Sequence, residues 1–253
     1  MKTLVKNFCF LAFTAFAVLS TSNAYAVSAV AQQIQGEVLV QKAGAAPESW
    51  TAVTADTTLA NGDSLKTKEG SCSLVYSDQG TFNVDKNTTL TISEKPEAYD
   101  INLLLGKIRG KVNHDKAEHP FVVTTPAAVA TVRGTEVDFG FNEEGQLTVD
   151  LHNGKIQVVN DDAELKVDLE GKKSITIKYD KESGLLRVKN ECGSDGVVTF
   201  NMLGTEYAEN PCDEKEVSLS TAEQGTNTPD TNNGTPDNPE NPDEGREPIS
   251  PTT

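Results

Sequence analysis

Glu136 and Asp138 lie two residues apart in an alternating stretch, with Arg133 just before them. Side chains at i and i+2 of a strand point the same way, so this pair could in principle divide general acid and base work. Such chemistry needs a third group and a cleft, and neither is readable nearby. No Ser-His-Asp order, Gly-rich phosphate loop or zinc-protease helix is present either. The plainer reading is a solvated acidic pair, and we expect no enzyme and no cofactor. His114 and His119 stand five apart in a charged loop, the third histidine is remote, and no Cys-x-x-Cys pair exists. A metal site is therefore not expected. Cys192 and Cys212 bracket a polar, Gly-rich segment. A bridge between them would close a loop of about 21 residues and add ~3 kcal/mol on the chain-entropy estimate. Cys72 falls in the alternating run Cys72-Ser73-Leu74-Val75-Tyr76 and reads as core. Trp50, Tyr99 and Tyr207 sit in loop-like contexts and are the candidates for a binding surface, although a lone Trp is more often a core anchor.

The elements that must position these residues are strands. Val137, Phe139 and Phe141 share a face, as do Leu147, Val149 and Leu151. Ile156 with Val158, Leu165 with Val167 and Leu169, and Ile175 with Ile177 continue the period of two. Turn chemistry follows each run: Asn61-Gly62, Glu144-Gly145, Asn153-Gly154, Glu170-Gly171, Ser183-Gly184. Helical periodicity is almost absent. The units are too small to bury their apolar faces alone, so neighbours must stack on them. The expected fold is all-β, a twisted, solenoid-like stack of short strands, with a β-sandwich as the alternative.

Both ends of the chain read differently. Lys2 and Lys6, the apolar run Phe8 to Leu19 and Ala24-Tyr25-Ala26 form the three-part plan of a secretory signal. Cleavage is expected after Ala26, and a run of 12 is shorter than the ~20 residues that span a bilayer. No second apolar run follows, so the mature chain should carry no transmembrane segment and be periplasmic or secreted. Residues 218–253 hold six of the eleven prolines and seven acids against Arg246 alone. Such a tail cannot offset its ordering entropy and is expected to be disordered. The organisation predicted is 1–26 signal, 27–190 β-domain, 191–217 Cys-bracketed extension and 218–253 tail. Formal net charge is −16, and loss of the leader lysines makes it two units more negative. Nucleic acid is an improbable partner for such a chain.

Several phrases recur in a telling order: Gly36-Glu37-Val38, Trp50, Leu59-Ala60-Asn61-Gly62-Asp63-Ser64-Leu65-Lys66-Thr67, and Tyr76-Ser77-Asp78-Gln79-Gly80-Thr81. Then comes Thr125-Pro126-Ala127-Ala128-Val129-Ala130-Thr131-Val132-Arg133-Gly134-Thr135, and last Gly154-Lys155-Ile156-Gln157-Val158. Together they resemble the FecR-domain family of bacterial extracytoplasmic proteins over some 130 residues. Physically, Gly62-Asp63 reads as a turn whose carboxylate bonds nearby N–H groups. Gly134 inside a strand pattern suggests a bulge or a close backbone approach. Arg133, one of four arginines, is expected to fix that corner by bonding an internal carboxylate or backbone carbonyls. Thr125, Pro126, Val132 and Thr135 complete a motif read as structural.

The resemblance implies an exported, free-standing β-scaffold. The best-known family members also carry a membrane span and a cytoplasmic segment that binds a sigma factor. Neither is readable here, so direct sigma regulation is not carried over. The expected function is a non-catalytic periplasmic or secreted protein-binding and signal-relay scaffold. Its partner would be another envelope protein. The alternative is a cell-wall or glycan-binding envelope protein, with peptidoglycan or glycan as the ligand.

Overall fold

The computed structural model describes residues 29–77, 79–95, 97–113 and 119–218. The expected signal peptide, His114, Asp78 and all of the expected tail beyond Ser218 lie outside them. The apolar-polar alternation builds eighteen strands. The first eight are β1 (Ala29–Gln35), β2 (Val38–Gln41), β3 (Thr51–Ala52), β4 (Thr57–Leu59), β5 (Ser64–Thr67), β6 (Ser71–Tyr76), β7 (Gly80–Val84) and β8 (Thr89–Lys95). The long strands follow, β9 (Ala98–Val112), β11 (Val129–Phe141) and β12 (Gln146–Asn160), with the short β10 (Phe121–Thr124) between the first two. The last six are β13 (Leu165–Glu170), β14 (Lys173–Asp180), β15 (Leu185–Asn190), β16 (Val198–Met202), β17 (Thr205–Glu209) and β18 (Glu214–Ser218). No helix occurs among the described residues, so no helix there is long and apolar enough to cross a membrane.

Pairing runs in two series. The first is β3-β2-β5-β8, the start of β9, β10, the start of β11, the end of β12, then β13-β16-β17. The second is β4-β1-β6-β7, the end of β9, the end of β11, the start of β12, then β14-β15-β18. All these pairs are antiparallel except β9 with β10. The sheet is open: β3 and β4 end the two series on one side, and β17 and β18 end them on the other. Inward residues of both series, among them Phe82, Phe139, Leu74, Leu90, Ile101, Leu147 and Ile177, are buried in one continuous core. Burial of this apolar surface is the main favourable term of the fold.

The two series are joined along a crease. There the chain passes from one to the other at Gly36, Gly70, Gly106, Gly134, Gly154 and Gly171, and between β7 and β8. The sequence suggested short strands broken at glycines. Instead β9 and β12 run for 15 residues each and β11 for 13. Glycine with positive φ bends a strand while pairing continues on both flanks. Gly106 (φ +98°) and Gly154 (φ +101°) do so where the backbone is also crowded. A Cβ on Gly154 would meet the carbonyl oxygen of Gly134 at 2.8 Å.

The segment after Asn190 continues both series, because β16 pairs with β13 and β18 with β15. The Cys192 and Cys212 sulfurs are bonded and tie the loop after β15 to the loop before β18. Buried Asn190 holds the same loops, its Nδ2 donating to the carbonyls of Gly196 and Glu209 at 3.0 Å each. Replacing both cysteines by serine should lower unfolding free energy by ~3 kcal/mol, as the chain-entropy estimate gives for this loop. Urea titration of the two forms checks it.

Candidate functional site

The recurring phrases run from the crease, where Thr67, Gly134 and Gly154 stand, to the opposite ends of the strands, where Asp63 and Thr125 stand. Asp63 is 3% exposed. Its carboxylate accepts from the N–H of Ala60 (2.9 Å), the N–H of Ala43 (3.0 Å) and Lys42 Nζ (2.7 Å). Burial alone would raise its pKa, but these three donors outweigh that and hold it below the usual carboxylate value. Thr67, the end of the same phrase, donates to the Asp85 carbonyl at 2.6 Å and accepts from the Thr88 N–H at 2.9 Å. Thr88 in turn bonds Lys107 across the bend of β9. The Gly62-Asp63 turn is thus a joint in the scaffold. A carboxyl with a depressed folded-state pKa contributes stability that is complete above the unfolded-state value of about 3.9 and lost as pH falls through the folded value. Asp63→Asn should cost ~1–3 kcal/mol at neutral pH. It should also flatten the acid limb of the stability profile, read by urea titration from neutral pH down into the acid range.

The second phrase is organised the same way around a different outcome for its arginine. Thr125 closes a turn, its hydroxyl donating to the Ala128 carbonyl (2.8 Å) and accepting from the Ala128 N–H (3.1 Å). Pro126 is exposed in that turn, and Val132 is fully buried. Gly134 takes φ +65° where the β11–β12 register shifts, between Arg133 and Glu136. Thr135 is buried, and its hydroxyl has no hydrogen-bond partner among the described residues. The expectation that Arg133 ties the corner internally is not met. The strand alternation turns Arg133 outward, exposed, opposite Lys155, and it makes no hydrogen bond or ion pair among the described residues. By contrast, Arg109 and Arg187 are both paired with carboxylates.

Glu136 and Asp138 do share the outer face of the second series, but with different surroundings. Glu136 is exposed. Asp138 receives a fork from Arg109, Nε and Nη2 each at 2.6 Å, and lies 3.3 Å from His152 Nε2. Burial opposes ionisation of Asp138, but the Arg109 and His152 contacts prevail and keep its pKa low. A carboxylate so held is a poor proton donor or acceptor near neutral pH. Among the described residues no group of three or more His, Cys, Asp or Glu side chains is placed to hold a metal ion. Burial pushes the Cys72 thiol up to about 12, which makes it unreactive.

The three aromatic candidates do not converge. Tyr99 is only 9% exposed and belongs to the core, its ring 4.7 Å from Phe121 and 5.9 Å from Tyr76. Its partners come from strands distant in sequence, which is why it read as a loop residue. Tyr207 lies in β17, stacked on Phe200 at 5.6 Å, with Lys215 Nζ 4.9 Å from its ring centroid. Trp50 is half-buried just before β3, at the other end of the first series.

What the sequence did not single out is a groove on the outer face of the second series. It has a volume of about 490 Å³ and crosses β1, β6, β7, β9 and β11. Its walls mix polar side chains, with Gln33 and Gln35 at one end and the Arg109–Asp138 pair at the other, with the apolar Cys72, Val84 and Ile108. Its residues come from five strands spread between Gln33 and Asp138, so no local spacing could reveal it.

Residues 63–157 match the family model described as FecR protein. They are a FecR domain. The FecR domain runs from the Asp63 joint through β5 and the three long strands to Gln157 of β12, so it contains Arg133 and most of the crease. The Gly36-Glu37-Val38 and Trp50 phrases fall before it, and β13 to β18 extend the sheet beyond it. Two crystal structures of a proposed anti-sigma factor from Parabacteroides distasonis ATCC 8503 are similar at 14% identity, with TM-scores of 0.39 and 0.40. The alignments cover 58% and 59% of this chain and 58% and 60% of that protein, so less than two thirds of its length is spanned. No curated protein matches the chain.

Proposed function

We propose that this chain is a non-catalytic, exported FecR-domain protein that binds another envelope protein and relays a signal through that contact. The observation that carries the reading is Arg133. It is the arginine of the family phrase, and it stands exposed at the crease with no ion-pair partner among the described residues. Arginine is over-represented among residues that dominate protein interfaces, because its planar fork fits carboxylates and carbonyls and stacks on rings. The open ends of the sheet add a second means of attachment. Of these edges, β17 and β18 carry Glu206, Glu209, Glu214 and Glu216, which oppose pairing with another acidic copy and favour a basic strand. We read the two creased series as a solenoid-like stack, and residues 1–26 as the export signal.

The test compares wild type with Arg133→Ala in crosslinking and affinity capture from an envelope extract. The expected result is an unchanged melting temperature and at least about a tenfold loss of a specific protein partner, the scale of one strong interface contact. A variant that melts early returns Arg133 to a structural role. A variant that keeps every wild-type partner removes the arginine from the interface.

A further inference from the structure

We propose that the polar groove across β1, β6, β7, β9 and β11 is a binding site for a neutral, hydroxyl-rich chain, an oligosaccharide. Its five strands are adjacent in the second series and paired with each other. Their backbone groups are committed to the sheet, so a peptide cannot add here as a strand, and recognition falls to side chains. Five strands at about 4.8 Å spacing give a span of roughly 19 Å, long enough for several sugar rings in a row.

The side chains suit hydroxyl groups. Ser73, 5% exposed, forms part of the floor. Its Oγ donates to Asn83 Oδ1 at 2.7 Å and lies 3.1 Å from Gln33 Oε1. One hydroxyl proton cannot serve both oxygens, so it goes to the nearer. The Gln33 amide then turns its N–H to Ser73 and leaves its oxygen to the groove. The groove thereby offers an amide acceptor on Gln33 beside an amide donor on Asn83. A sugar hydroxyl, donor and acceptor at once, satisfies both. Gln35 adds a further planar amide.

Charge and shape exclude the other classes. The Arg109 guanidinium and Asp138 carboxylate neutralise each other, and Lys107 offsets Asp85 along the same wall. A phosphorylated or strongly acidic ligand finds no net positive field. Among the described residues no aromatic side chain lines the groove, so a protein partner finds no aromatic anchor site there. The backbone adds its own indication. Gln33 holds φ +51° inside β1, where the pairing with β6 slips between Gln32 and Gln35. A left-handed glutamine in a bulged strand is a local strain, and bulges re-aim side chains at sites of binding.

The test is NMR of the ¹⁵N-labelled mature chain, following the side-chain amides of Gln33, Gln35 and Asn83. The probes are chitohexaose, cellohexaose and maltohexaose. The expected result is saturable shifts of these amides with at least one probe. Those shifts should be abolished in Asn83→Leu and in Gln33→Ala, whose backbone spectra stay those of wild type. No shift with any of the three overturns the proposal, as does a shift that both variants retain. Shifts at these amides produced instead by the protein captured through Arg133 would also overturn it, because that contact belongs to the crease. Arg133→Ala should leave saccharide titrations unchanged, so the two readings fail separately.

Discussion

Replacing Gly106 by valine should leave the chain unable to reach its native fold, or destabilise it by more than ~4 kcal/mol. A Cβ at this position would lie 2.3 Å from Thr88 Oγ1, 2.5 Å from Thr88 Cα and 2.7 Å from the Asn87 carbonyl oxygen. Two of these atoms are backbone, and the hydroxyl is itself tied to Lys107, so no flexible neighbour can retreat. The φ of +98° adds strain for any L side chain, and more for a β-branched one. Gly145→Ala is the control. Gly145 has φ +75° at the β11–β12 turn with nothing within 4 Å of the added carbon, so only backbone strain of about 1–2 kcal/mol applies. Urea unfolding of the three proteins separates strain from collision. A Gly106→Val protein as stable as Gly145→Ala would show that the bend in β9 is not fixed where the structure places it.

Phe121→Ala should cost ~3–5 kcal/mol, the range for emptying an aromatic core position. Phe121 is 0% exposed and sits between Tyr99 (4.7 Å), Tyr76 (5.0 Å) and Phe82 (5.1 Å). Its strand, β10, is only four residues long, yet it bridges β9 and β11. The cavity therefore opens at the one parallel junction among the described strands. A fall in urea midpoint with unchanged slope is the expected signature. Phe121→Leu, which keeps most of the volume, should lose under about 1.5 kcal/mol. Equal losses in the two variants would mean the ring cluster is not packed as described.

The strand faces were legible because alternation is a local property. Val137, Phe139, Phe141, Leu147, Val149 and Leu151 all point inward as their spacing predicted. Glycine positions were legible as well, but their effect was not. A glycine between two alternating runs looks the same whether the chain reverses there or bends and pairs on. Only cross-strand registers such as Phe141 with Gly106 and Arg133 with Lys155 distinguish the two. Arg133 was assigned an internal partner because the identity of a guanidinium's neighbour is a tertiary fact. Tyr99 read as a surface residue because the rings that cover it arrive from positions 76, 119 and 121. The groove depends on Gln33, Ser73, Asn83, Arg109 and Asp138, residues that share a row only after five strands have paired.

The crease also decides how the body would bear load. β9, β11 and β12 each hold a place in both series, whereas the terminal strands belong to one alone. Pulled from Ala29 and Ser218, β1 is drawn from between β4 and β6 and β18 from β15, each within the second series alone. At the three long strands neither series can be stripped further unless the other yields in the same step. The middle of the FecR domain is therefore a mechanical clamp, and tension on the protein would be borne there before it was felt as loss of the fold.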